Sequence, residues 1–312
     1  STSLQRRSRH GLGCSVLDTS RAKPPRADTM NWLLPLFTSV ILLSAAVLLQ
    51  RAIISGKKVD SVAYSVMFQL LVAVALTPIV FAQGFRFERF SDYALLMTIA
   101  SIGFGVGTVV YAKTLKYVEA SAFAVLFSTA NIWVALYGII FLHETVGLYQ
   151  ILGTILVFTS VILLVKDPRS FKLEKGIALG LLTGAIYGVA VTSTSLVTKG
   201  VDVFTWTWLS FITGAFASLL VSPKSLGRAR PLFRGTMPIK LLALGVLYGL
   251  GSLAMMIAYR DGPLSLISPL RQSSVLVTTI LAFAVFRSER TDITKKLAAA
   301  LICAVGAALI VI

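Results

Sequence analysis

The sequence predicts an all-α integral membrane protein of ten transmembrane helices, arranged as two inverted five-helix repeats. Three observations lead there. Apolar runs long enough to cross a hydrocarbon core of ~30 Å recur along most of the chain. The composition is 56% hydrophobic and only 13% charged, with a mean hydropathy of +0.84, whereas roughly a quarter of a soluble domain is charged. The arrangement of span, short polar break and span between Tyr111 and Val165 returns between Tyr259 and Ile312. In the second of these spans Leu148 aligns with Ile293, Leu152 with Leu297 and Ser160 with Val305. A soluble core of 312 residues could not bury all of these runs. Lipid must therefore solvate much of the surface.

Residues 1–29 stand apart. Arg6, Arg7, Arg9, Arg21, Lys23 and Arg26 face only Asp18 and Asp28, and Pro24-Pro25 interrupts any helix. With no apolar h-region this is not a secretory signal. Met30-Asn31-Trp32 leads straight into an apolar run, so the membrane protein is expected to begin at Met30. The basic leader is expected to be disordered and upstream or non-native sequence.

The first half, 30–165, carries spans at 31–50, 61–82, 92–112, 120–141 and 147–165. The second, 176–312, carries spans at 176–197, 203–221, 238–258, 265–286 and 294–312. The charged link KDPRSFKLEKG, Lys166 to Gly176, joins them. Each half has an odd number of spans, so homologous halves must insert with opposite orientation. Gly103, Gly105 and Gly107 in the third span and Gly245, Gly249 and Gly251 in the eighth are expected to let helix backbones approach closely.

The net charge is +16. These charges lie in the loops and the leader, not on one soluble face, so anionic lipid headgroups are the expected partner and nucleic acid is not. Cys14 and Cys303 fall in the leader and the last span, which supports neither a disulfide nor a metal site. Every carboxylate falls in the leader, in a loop or at a span end, which disfavours a proton relay through a buried Asp or Glu. His143-Glu144 lacks a second membrane-domain histidine, so zinc would lack ligands. Glu144 and Glu289 occupy equivalent breaks, where a carboxylate favours the next helix N-terminus. No nucleophile–base pair and no phosphate-binding loop is found, so no catalytic residue, enzyme activity or cofactor is expected.

Loops after odd-numbered spans are rich in Lys and Arg, while loops after even-numbered spans carry only Arg86, Arg89, Lys199 and Arg260. By the positive-inside rule the odd loops are cytoplasmic and both termini lie outside.

A cavity between the halves should be lined by polar residues of facing helices. The candidates are Arg271, Gln272, Ser273 and Ser274 in the ninth span and Ser128, Thr129 and Asn131 in the fourth. Tyr187, Tyr248 and Trp133 could shape the pocket, whereas Trp206 and Trp208 are expected in the interfacial belt. Gln69 is expected to make an interhelical hydrogen bond. Arg271 is the one basic residue placed inside a span, and such an arginine faces a cavity or snorkels to the interface. In the first case it would hold a carboxylate or phosphate by charge-assisted bonds.

The segments TLKYVEASAFAVLFS, FLHE and YQILGTILVFTSVILL resemble the signature of EamA-type carriers in the drug/metabolite transporter superfamily. AYRDGPLSLISPLRQSSV, FRSER and the last span resemble its second copy. The resemblance covers essentially everything after Met30. It implies ten helices in two inverted halves around a central cavity that opens alternately to each side. It also implies a multi-pass protein of the plasma or inner membrane, monomeric or homodimeric, that moves an amino acid or another small organic solute. A lipid-linked substrate flippase or a multidrug exporter is the alternative. The family arrangement implies cytoplasmic termini, opposite to the charge count. One departure is that Pro269 marks the ninth span while the fourth has no proline, which puts equal bending of the halves in doubt.

Overall fold

The computed structural model describes residues 30–54, 59–133, 136–137, 147–164, 171–262, 267, 270–271, 273–286 and 292–311. The leader, His143-Glu144, Pro269, Gln272 and Glu289 lie outside these residues. The described residues are mainly helical, with no strand among them, and ten α-helices have both ends placed. The first half holds α1 (Leu33–Ile54), α2 (Ser61–Gln83), α3 (Ala94–Thr114), α4 (Ala120–Ser128) and α5 (Leu148–Leu164). The second holds α6 (Phe171–Val197), α7 (Val203–Val221), α8 (Met237–Asp261), α9 (Ser273–Val285) and α10 (Ile293–Val311). Six of them (α1, α2, α3, α6, α7 and α8) are long and apolar enough to cross a membrane. Leu34, Leu95, Ile162, Leu220 and Ile239 are exposed, as expected of side chains that face acyl chains.

The packing is paired about a pseudo-twofold axis. α3 lies on α6 as α8 lies on α1, α3 on α7 as α8 on α2, and α4 on α6 as α9 on α1. The self-related pairs are α2 with α7, α4 with α9 and α5 with α10. Register shows the directions. Gly103 meets Ala190 and Gly107 meets Tyr187, so α3 and α6 are antiparallel. Gly251 meets Leu43 and Gly262 meets Trp32, so α8 and α1 are antiparallel too. This is the geometry of an inverted repeat. Even the caps repeat. Asp60 accepts from the Val62 and Ala63 amides at 2.9 and 3.0 Å at the start of α2, and Asp202 accepts from the Thr205 amide at 2.8 Å at the start of α7. Each satisfies orphan N–H groups of a first turn.

Close approach of backbones depends on small residues. A Cβ on Gly105 would lie 2.5 Å from Ala217 Cβ and 2.6 Å from the Gly214 carbonyl oxygen of α7. On the far side of the bundle, a Cβ on Gly306 would lie 2.8 Å from the Gly153 carbonyl oxygen, so α5 and α10 also touch backbone to backbone. In place of a hydrophobic driving force, hydrogen bonds help join the helices. Gln69 Nε2 donates to Ser218 Oγ at 2.7 Å, and Ser218 Oγ donates to the Gly105 carbonyl at 2.8 Å, tying α2, α7 and α3 together. The bond expected of Gln69 is thus present.

Trp206 and Trp208 do not form an interfacial belt. Trp206 is 1% exposed and packs against Met97, Ala100, Val197 and Val201. Trp208 donates from Nε1 to Thr77 Oγ1 at 3.1 Å and meets the Phe85 ring edge-on. Depth along the span set the expectation, but the face of the helix decides, and both residues face neighbouring helices. α4 also differs from expectation. It breaks at Thr129 without a proline, because the side chains of Ser128, Thr129 and Asn131 bond the carbonyls of Val125, Leu126 and Ser128 at 2.6–2.8 Å. Side-chain bonds of this kind compete with the helix ladder and bend it.

Candidate functional site

A central cavity of about 190 Å³ lies between the halves. Its wall takes residues from α1 to α4 and from α6 to α9, and among the described residues none from α5 or α10. Of the residues expected to line it, Arg271, Ser274, Ser128, Asn131, Tyr187 and Tyr248 do so. Thr129 is buried beside Gly184 and Ser273 bonds the Leu270 carbonyl, so neither lines the cavity. Gln272 lies outside the described residues, and Trp133 is half exposed on the outer surface. Ser44, Gln69, Thr108, Tyr111, Thr194, Ser252, Tyr259 and Thr278 line the cavity but were not singled out as lining residues from the sequence.

Two aromatic clusters stand in the wall. Phe104, Tyr111, Phe123, Phe127 and Tyr187 form one cluster from α3, α4 and α6, with ring centroids 4.5–6.3 Å apart. Phe68, Phe211 and Tyr248 form the second from α2, α7 and α8, with the Phe68 and Tyr248 rings at 4.8 Å. Most of these contacts are edge-to-face, an arrangement that aromatic quadrupoles favour and that fixes ring positions. Several polar groups of the wall have partners within the protein, while the Thr194 hydroxyl is buried without one. Tyr111 donates to Gln50 Oε1 at 2.5 Å, the Thr108 and Tyr187 hydroxyls are 3.0 Å apart, and Thr207 and Ser210 bond the Val203 and Thr207 carbonyls.

Arg271 brings a charge into the wall. It is half-buried, and its Nη1 donates to Tyr259 Oη at 2.7 Å. A guanidinium carries five N–H donors in a planar fork. Among the described residues Arg271 is the one charged side chain that lines the cavity. Its charge is therefore balanced by no carboxylate there.

At one face of the bundle, charged side chains join the halves. Lys296, in the first turn of α10 and 7% exposed, pairs with Glu119 at the start of α4. Arg228, between α7 and α8, reaches Asp60 at 3.4 Å. Lys175 lies over the Tyr117 ring at 5.3 Å. Nearby, Arg51 donates to the Leu115 carbonyl and Lys116 to the Val59 carbonyl. Lys296, read from the sequence as a loop charge, is thus a buried partner in an inter-half contact. Burial pushes the Asp60 carboxyl up, but bonds from the Ala63 and Val62 amides, Arg228 and Ser225 together outweigh it and hold the group below its ordinary value. Burial pushes the Lys116 ammonium below its ordinary value. Among the described residues no group of His, Cys, Asp and Glu could hold a metal ion.

The model of the EamA-like transporter family matches residues 30–166 and again residues 174–312. No curated protein matches the chain. A solved structure described only as "Crystal structure of protein" superposes with a TM-score of 0.63 at 15% identity, over 90% of this chain and 95% of that one. At that identity the likeness speaks for the fold alone.

Proposed function

The chain belongs to the EamA-like transporter family, and we propose that it is a secondary carrier that moves a small organic solute through its central cavity by alternating access. The carrying observation is that symmetry-related helices of both halves share one cavity, while among the described residues the ionic contacts between the halves cluster at a single face. A twofold-related pair of halves can adopt the mirror arrangement, closing the other face and opening this one. In this reading Arg271 and Tyr259 hold an anionic group of the solute, and the aromatic clusters hold its apolar part. Ser128, Asn131, Ser274, Tyr187 and Tyr248 shape the space, and the host bilayer is the plasma or inner membrane.

A substrate-independent test is available. Ser274→Cys, in a background with Cys14 and Cys303 replaced by Ser, is labelled with a membrane-impermeant maleimide in intact cells and in inverted vesicles. The carrier reading predicts labelling from both sides. Labelling from one side only would refute it.

A further inference from the structure

The cavity's charge inventory narrows the solute further, on the premise of the carrier reading above. We infer that the substrate is a small monocarboxylate with an apolar, ring-sized body and no amino group. Three properties of the wall point there.

The first is charge. Arg271 brings one positive charge, and no carboxylate or second cation lines the cavity among the described residues. In a low-dielectric wall an uncompensated charge is expensive. A monoanion leaves the filled cavity neutral, whereas a phosphate dianion leaves one negative charge over. An α-ammonium finds no carboxylate, and its own carboxylate carries it to within a few ångströms of the guanidinium, where like charges repel. The aromatic rings could attract a cation, but the fixed charge of Arg271 opposes that attraction throughout so small a space.

The second property is hydrogen bonding. The hydroxyls of Tyr111, Thr108, Tyr187, Thr207 and Ser210 already have partners within the protein, and that of Thr194, buried without one, leaves room for a single further polar contact. A solute rich in hydroxyls would have to displace those bonds, whereas an apolar body leaves them intact. The planar fork of Arg271, already oriented by Tyr259 Oη at 2.7 Å, suits a carboxylate bidentately.

The third is size. A volume of about 190 Å³ is below the roughly 300–1,000 Å³ of pockets for drug-sized ligands. The rings of Phe68, Phe104, Phe127 and Phe211 line it, which matches a single planar or branched apolar group.

The test uses four probes that share one ring and differ in charge: phenylacetate, phenylalanine, phenyl phosphate and phenethylamine. Binding to the purified full chain is measured by titration calorimetry at neutral pH. Phenylacetate is expected to bind at least about tenfold more tightly than each of the others. Arg271→Gln is expected to weaken it by about ten- to a hundredfold, the loss expected for a charge-assisted bond. Equal or tighter binding of any other probe overturns the inference, as does phenylacetate affinity unchanged in a folded Arg271→Gln protein. If that variant does not fold, the ranking on the unaltered protein decides alone. A silent panel also overturns the monocarboxylate assignment. The carrier reading falls only if Ser274→Cys is reached from one side, so the two failures are distinguishable.

Discussion

Gly105 and Gly249 occupy corresponding places in α3 and α8, yet alanine at the two positions should have opposite effects. At Gly105 the new Cβ would sit 2.5 Å from Ala217 Cβ, 2.6 Å from the Gly214 carbonyl oxygen and 2.9 Å from the Ser218 nitrogen. Ordinary contact distances are ~3.5–4.0 Å, and two of these three atoms are backbone. α7 must therefore retreat by about 1 Å, which stretches the Ser218–Gly105 bond and disturbs the Gln69–Ser218 bond. Overpacking costs ~1–3 kcal/mol, and a weakened interhelical bond adds about 0.6 kcal/mol. The gain in helix propensity from Gly to Ala returns about 1 kcal/mol. The net is a loss of about 0.6–2.6 kcal/mol. At Gly249 the nearest atoms are Leu76 Cγ and Cδ2 and Val72 Cγ1 at 3.3–3.5 Å, all ends of side chains that can shift slightly. There the propensity term wins, and stability rises by about 0.5–1 kcal/mol. Thermal unfolding of the two purified variants should differ by on the order of 5 °C or more, with Gly105→Ala below the parent and Gly249→Ala at or above it. Equal shifts of the same sign would refute the close-packed α3–α7 contact.

Three further outcomes follow from the same geometry. Gln69→Leu removes the α2–α7 bond and should cost about 1 kcal/mol in thermal unfolding, with Ser218 retaining its bond to Gly105. An unchanged midpoint would show the bond to be idle. Asp60 caps α2 with a folded-state pKa below its ordinary value of 3.8. Its contribution is therefore complete above the unfolded value and is lost as pH falls through the lower folded value. Asp60→Ala should cost about 1 kcal/mol at neutral pH, and the gap to the parent should close on acidification below pH 3.8; a gap that widens there would reverse the sign of the linkage. Glu119→Gln weakens the contact with buried Lys296. With Glu119 partly exposed, about 1 kcal/mol is at stake, so cavity labelling from that face should accelerate roughly fivefold. Unchanged labelling would show that this pair does not restrict access from that face.

The fold was legible because span length and hydropathy do not depend on which way a side chain points. The repeat was legible for the same reason, since the break-and-span pattern survives even where Leu148 and Ile293 differ. Facing was another matter. Residues one apart on a helix point about 100° apart, so Ser274 reaches the cavity and Ser273 does not. In a helix apolar all round, sequence gives little to tell these faces apart. Trp206 shows the same limit, because its position near the start of α7 suggested the belt while its actual face is interior. Arg271 could be found from sequence because a cation inside an apolar run is costly anywhere. Thr108, Ser252 and Thr278 could not, because Ser and Thr also occur throughout lipid-facing and packed positions. The Lys296–Glu119 pair joins residues 177 positions apart, and no local pattern announces it.

The most direct test of alternating access measures both faces at once by pulsed electron–electron spin resonance. One spin-label pair, at Tyr117 and Lys295, spans the face where Lys296 pairs with Glu119; the other, at Arg86 and Arg260, spans the opposite face. All four positions are exposed. The carrier account predicts two populations at each pair, with conditions that lengthen one distance shortening the other. A single unchanging distance at each face, or two that lengthen together, would contradict it.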